Sequence, residues 1–443
     1  MDEALLHDVV NAALTAGADA AEAVGVERRA LSVASREGAL EEVEREESRD
    51  LGLRVFVGQR QATVSGSDFS VAARARLVER VVAMARLAPE DPYAGFAPDD
   101  RLARGEGPDL DLYDPAEPSA EALEALARTA DETARAVDGV TNTDGGSASW
   151  SSSQWRLVTS AGFTGGHRTS GFSLSASAIA GEGARMERGG EGRSVRHGSD
   201  LPSPEEIGAE AGRRAVSRLD PRKLDSRTAA VMFENRVATS LLGPLIGAIS
   251  GPAVARGTSF LKDRLGRAIF SKAVTVRDEP LRPRGLGSAA FDDEGVAVTA
   301  LDLIDQGVLT TWLMNSAAAR QLGLSTTGHA SRGLAGAPGV STHNLTMSPG
   351  EATPQALMAQ TGEGLMVTSM FGPSLNANTG DWSAGVSGVW WENGEPAYPV
   401  SGVTVAGNLI DIYARLIPAN DLEIRGSANA PSILVDALAI AGK

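Results

Sequence analysis

The chain has 443 residues, 42% hydrophobic and 22% charged, which suits a globular protein of two or three domains. Its formal charge of −16 argues against the nucleic-acid phosphate backbone as a main partner, because that contact needs a Lys/Arg surface. With no cysteine, disulfides, thiolate metal sites and a cysteine nucleophile are excluded.

The N-terminus, MDEALLHDVV, lacks the layout of a secretion signal. No stretch reaches the ~18 apolar residues of a membrane span. A cytoplasmic protein with no membrane partner is therefore expected. Leu5, Val9, Ala12, Ala13 and Ala16 recur at helical spacing, and Gly17 stops the helix. A β-rich run follows, with alternation at Leu53, Val55 and Val57 and turns at Gly38 and Gly58. Ser67 or Asp68 is placed to cap a helix from Ser70 to Arg86. The segment 88–119 is rich in Pro, Asp and Gly and predicts a connector with little core of its own. The pattern then recurs: a helix from Ala120 to Ala136, a second β-rich run, and a helix from Pro204 to Arg218 capped by Ser203. This predicts an α+β domain over 1–220 built from two helix–antiparallel-meander–helix halves.

SRLDPRKLDSR at 217–227 suits a linker. Beyond it, runs such as GLMVTSM and VSGVWWENGEPAYPV predict a mostly antiparallel β domain over 225–443. Helices are expected near 237–251, 316–321 and 353–360. In the pair Trp390–Trp391 one ring should enter the core, while the other is free to line a groove or interface.

Catalytic signatures are sparse. There is no Walker loop, Rossmann fingerprint, H-E-x-x-H or G-x-S-x-G. His7, His167, His197, His329 and His343 are scattered, no two at i, i+4, so any metal pair would have to form in space. Ser259 and Lys262 form S-x-x-K, a spacing that brings an amine to a hydroxyl on a helix, against the plainer reading of a serine followed by a solvated lysine. Asp292, Asp293 and Glu294 could serve as acid and base or bind a cation; with Gly295 behind them they more simply make a turn. SLLGPLIGAISG at 240–251 is apolar and holds no carboxylate, imidazole or thiol.

Several long motifs together resemble the TldD/PmbA family. They include LGLRVFVGQRQATVSGSD, MARLAPEDPYAG, AVARGTSFLKDRLG, GLGSAAFDDEGV and GVLTTWLMNSAAARQLGLSTTGHASRG, then NANTGDWSAGVSGVWWENGEPAYPVSGVTVAGNL and PANDLEIRGSANAPSILV. The resemblance covers essentially the whole chain and is to the PmbA branch, also called TldE. It implies a cytoplasmic two-chain protease that processes leader peptides and degrades unfolded ones. In it, a TldD-type partner carries zinc on an H-E-x-x-x-H helix, helped by a C-terminal Cys. Laid on that helix, this sequence has Gly243 at the first His, Pro244 at the Glu and Ala248 at the second His. None of these side chains can hold zinc or take a proton from its water. The resemblance thus implies a subunit with no catalytic residue and no metal of its own, the zinc residing in the partner.

The same stretch carries Gly243, Gly247 and Gly251 near one helical face, where small residues would let another backbone approach, and Pro244 belongs in a first turn. Gly380, Asp381, Trp382 and Ser383 are the expected peptide-groove segment, with a hairpin turn as the alternative. Two other functions stay open: a self-sufficient hydrolase using Ser259/Lys262 or the acidic cluster, and a regulator that binds a topoisomerase, after the family's older description. A homodimer is possible for the isolated chain.

Overall fold

The structure, a computed structural model, describes residues 2–105 and 107–442. Helices of the first region start where a side chain satisfies their free N–H groups. In α1 (Glu3–Thr15), Asp2 accepts from Ala4, and Leu6, Val9, Val10 and Ala13 form the buried stripe. In α2 (Val71–Leu87) the cap is Ser70, which accepts from Ala73. The expected cap Asp68 acts one step earlier, accepting the Ser70 N–H. Ser119 caps α3 (Ala120–Arg135), and Ser203 with Glu206 forms a capping box on α4 (Pro204–Val216).

These helices cover one face of a six-stranded antiparallel sheet. Its strands are β1 (Ala20–Arg36), β2 (Ala39–Val57), β3 (Arg60–Gly66), β4 (Val140–Thr159), β5 (Thr164–Ala180) and β6 (Glu187–Val195), in the order β3-β2-β1-β4-β5-β6. The two predicted halves meet at the β1–β4 pair, from Glu22↔Thr159 to Ser35↔Gly146. Strand parity explains what each face does. Ala21, Ala23, Leu31 and Val33 of β1 enter the two helix-covered cores. Val24 and Val26 point the other way and join Phe163 and Phe291 in a cluster shared with the C-terminal region. The start of β1 is therefore buried on both sides.

The C-terminal region begins with β7 (Arg227–Phe233), followed by α5 (Asn235–Ala238), α6 (Leu242–Ala248) and α7 (Gly251–Ala255). Next come β8 (Val276–Asp278), β9 (Leu301–Asp305), β10 (Val308–Leu309), α8 (Ser316–Leu322), β11 (Ala330–Ser331), β12 (Gly339–Val340) and β13 (Leu345–Met347). The last third holds α9 (Pro354–Thr361), β14 (Gly364–Leu375), β15 (Asp381–Glu392), β16 (Glu395–Asn408), α10 (Leu409–Arg415), β17 (Ile417–Pro418), β18 (Ala428–Asn429) and β19 (Ile433–Ala441). Strands β16-β15-β14-β7-β19 form one sheet, and β16 also pairs with β19, so the five close into a ring. Pairing is antiparallel except for β14–β7 and β13–β18. A smaller sheet, β10-β9-β8-β13-β18, packs into the same core.

Three expectations need correction. Trp390 and Trp391 do point to opposite faces, but both are buried, Trp390 in the main core and Trp391 with Leu357 and Met358 of α9. Neither lines a groove, because the ring has protein on both sides at that point. Segment 88–119 does contribute core: Leu110 and Leu112 are buried. It works as a strap, its Leu110 carbonyl accepting from Arg284 N–H at 2.8 Å and its Leu112 carbonyl from Ser170 N–H at 3.0 Å. The helix expected near 237–251 is broken into α5, a 3-10 turn at Thr239–Leu241, α6 and α7.

Candidate functional site

The broken helices form the wall of a groove. Chain leaves β7 at Phe233 and turns away, since Glu234 N–H still bonds the Val367 carbonyl at 3.1 Å but no later residue follows β14. Beyond Val367, β14 pairs among the described residues with β15 alone, which leaves its other edge open from 368 to 375. Pro244 sits in the first turn of α6, where its missing N–H costs no helical bond. A groove of 490 Å³ runs between α6 and this edge, bordered by Gly243, Ile246, Leu345 and Met370. It shares Arg236, Thr239 and Ala428 with a cavity of 720 Å³ between the N-terminal sheet and the C-terminal region.

The cavity's charges are mutually paired. Arg236 bonds Glu234 at 2.7 Å, Arg214 bonds Glu210 at 2.6 Å and also pairs with Glu191, and Arg425 pairs with Glu191 and with Glu423. The charges that line the space balance.

The three positions that the resemblance lays on a zinc helix, Gly243, Pro244 and Ala248, supply no donor side chain. Gly243 is exposed to the groove, and a Cβ built there would meet nothing within 4 Å. Ala248 faces the core, 5% exposed. Residues five apart on a helix differ by about 140°, and here that rotation puts one position in the groove and the other behind it. The glycine-face expectation also fails: Gly247 likewise meets nothing within 4 Å, and only Gly251 is pressed, a Cβ there lying 2.9 Å from the Leu313 carbonyl oxygen. The cause is the helix break, which puts Gly251 in a separate segment bonded to Leu313.

Ser259 and Lys262 do not form a dyad. Ser259 is buried, its hydroxyl donating to the Ala248 carbonyl at 2.5 Å, while Lys262 lies in the open and reaches Gly257 O at 3.5 Å. Asp292, Asp293 and Glu294 form the turn: Asp292 Oδ1 accepts from Glu294 and Val296 N–H, and Gly295 takes φ 82°. The turn is buried, which pushes all three carboxyls up, Asp292 to about 7 with help from the Glu294 charge. Their partners are structural: Asp293 takes Arg332 N–H at 2.8 Å and Glu294 takes the Ser316 hydroxyl at 2.6 Å. The Arg332 side chain pairs with Glu22 of β1, tying this turn to the first domain.

In the expected peptide segment, Gly380 closes a turn with φ 83° and Asp381 bonds Thr379 and Asn408. Trp382 is buried against Phe233. Ser383 pairs on one side with Ala406 and on the other with Ser374. Both edges of β15 are occupied here, so main-chain pairing with a peptide is open on β14 instead.

Of the histidines, His7 is exposed near Glu3, and His197 pairs with Asp111. His167 stacks on Trp155 at 5.2 Å beside Phe291; burial, then the Arg196 charge, lower its imidazole to about 4. His329 and His343, which have no helical spacing in sequence, meet in space. His329 Nε2 lies 3.1 Å and His343 Nδ1 2.8 Å from the same atom, Oδ2 of Asp278. Burial would raise that carboxyl, but the two imidazoles outweigh burial and hold it at about 2. Asp278, the last residue of β8, carried no signal in the sequence: its partners lie 51 and 65 residues away.

The PmbA/TldA metallopeptidase domain 1 model matches residues 21–85, the central-domain model 113–219 and the C-terminal-domain model 226–442. The chain is 39% identical to Metalloprotease PmbA of Escherichia coli O157:H7, over 99% of this chain and 96% of that one. The chain belongs to the PmbA/TldD metallopeptidase family. A PmbA homologue of Haemophilus influenzae is 36% identical over 98% of this chain and 94% of its own. The crystal structure of a proposed modulator of DNA gyrase from Bacteroides thetaiotaomicron has a TM-score of 0.92 at 26% identity, covering 100% of this chain and 99% of that one. TldE of Thermococcus kodakarensis shares the fold, with a TM-score of 0.86 at 18% identity over 99% and 100% of the two chains. Membership in the PmbA branch and a protease-related role follow. Among the described residues, no helix is long and apolar enough to cross a membrane.

Proposed function

We propose that this chain is the non-catalytic subunit of a two-chain zinc peptidase acting on extended or unfolded peptides, including leader segments, beside a TldD-type partner that carries the metal. The observation that carries this reading is the open Gly243 position. The groove is present, yet positions 243, 244 and 248 contribute a hydrogen, a proline ring and a methyl group. Zinc hydrolysis needs N, O or S ligands and a carboxylate base, so these residues do not fit the ion. The open edge of β14 supports the substrate class, because main-chain pairing asks little of peptide sequence. Regulation of a topoisomerase has only the names of structural relatives behind it, and the Ser259/Lys262 hydrolase lacks its geometry.

The test is co-expression with a TldD-type chain, then a cleavage assay of each purified chain and of the pair on an unstructured peptide. Cleavage should need the partner, and a Glu→Gln change in the partner's H-E-x-x-x-H should abolish it. Turnover by this chain alone would overturn the reading.

A further inference from the structure

We propose that Asp278, His329 and His343 form a metal site of this chain's own, separate from the groove positions and taking a first-row divalent ion such as zinc. One carboxylate oxygen and two imidazole nitrogens, from three separate stretches of chain, all lie within 4.8 Å of one another. Two neutral imidazoles and a carboxylate are a donor set that zinc and its neighbours accept.

The spacing is close to what an ion requires. Bonds of about 2.0–2.1 Å in a tetrahedron put ligand atoms about 3.3 Å apart. The two nitrogens stand 3.1 and 2.8 Å from Oδ2, within a few tenths of an ångström of that spacing, and within 4.8 Å of each other, so an ion would draw the two imidazoles together.

Two of the three ligands are already held on their far side, the outer support that orients metal ligands. His329 Nδ1 lies 2.9 Å from the Thr327 hydroxyl, which itself accepts Met314 N–H at 2.8 Å. Asp278 Oδ1 accepts His343 N–H at 2.8 Å. The His343 carbonyl is packed on Gly287, where a Cβ would lie 2.0 Å from its oxygen, so any larger residue would displace the ligand loop.

Charge points the same way. Asp278 is 0% exposed, and among the described residues no Lys or Arg pairs with it. A buried carboxylate needs a cation beside it, and a divalent ion supplies one without protonating either imidazole. His343, 8% exposed, is the ligand nearest to solvent. Bound there, the ion would clamp β8 to the segments before β11 and β13. Thr342, next to His343, borders the groove, so the clamp would stiffen that wall.

The test uses the full chain without any partner. It is loaded with zinc or cobalt(II), passed through gel filtration, and measured for metal content, visible absorption and melting temperature with and without a chelator. We expect about one ion per chain, the visible bands of four-coordinate cobalt, and a melting temperature that falls on chelation. His343→Gln keeps a donor towards Asp278 but is a poor ligand; it should fold, lose the cobalt bands and stop responding to chelator. If that variant does not fold, His329→Gln and the wild-type cobalt spectrum still decide. A wild-type chain that retains no more metal than His343→Gln, or whose bound metal is indifferent to both substitutions, overturns the proposal and leaves a purely hydrogen-bonded trio. Neither result bears on whether peptide cleavage needs a partner.

Discussion

The groove beside α6 and the buried trio at the end of β8 are opposites. The groove has the space, exposure and free strand edge that chemistry on a peptide needs, but no donor at its three expected positions. The trio has three donors and almost no exposure. The donor groups of the trio lie where they hold loops together, while the groove offers space without donors at the positions the resemblance assigned. Position on a helix and ability to bind an ion are separate properties, set by rotation about the axis and by side-chain chemistry.

The sharpest way to break the comparison is Asp278→Ala. It leaves two buried imidazoles and the His343 N–H without their shared acceptor, and should lower stability by about 3–5 kcal/mol in urea unfolding. A change below 1 kcal/mol, roughly that of an ordinary surface site, would mean that the trio does not hold the loops. Glu22→Gln comes next. It removes the carboxylate between Arg54 and Arg332, whose side chains are 3% and 0% exposed, and should cost about 3 kcal/mol while exposing segment 88–119 to limited proteolysis. Unchanged proteolysis would show that the two regions stay docked without this pair.

His167, half-buried between the regions, gives a pH test. Its imidazole takes a proton near 6.5 when unfolded but only near 4 when folded. Its contribution is therefore complete above pH 6.5 and is lost as pH falls towards 4. The loss should be on the order of 2 kcal/mol and should disappear in His167→Gln, read as urea midpoints at several pH values.

The smallest effects lie along α6 and α7. Gly247→Ala should stabilise by about 0.5–1 kcal/mol, since its Cβ enters open space on a helix. Gly251→Ala should cost about 1–2 kcal/mol, because it presses on the Leu313 carbonyl. Equal effects at the two glycines, read from melting temperatures, would restore the single packing face that the sequence spacing suggested.

What could be read from the chain alone was local or periodic. The α+β class, the doubled helix–meander–helix, the Ser203 cap and the family motifs all depend on residues near one another in sequence. So does the missing chemistry at Gly243, Pro244 and Ala248, because a hydrogen, a ring and a methyl group are donor-free in any fold. The tertiary structure alone decided the rest. It broke one expected helix into pieces, closed β16 onto β19, buried both Trp390 and Trp391, and turned the edge of β14, not β15, towards the groove. It also carried His329 and His343 to Asp278. Such contacts arise when distant strands dock, and the energy that selects them, burial of both faces of a sheet, leaves no repeat in the sequence.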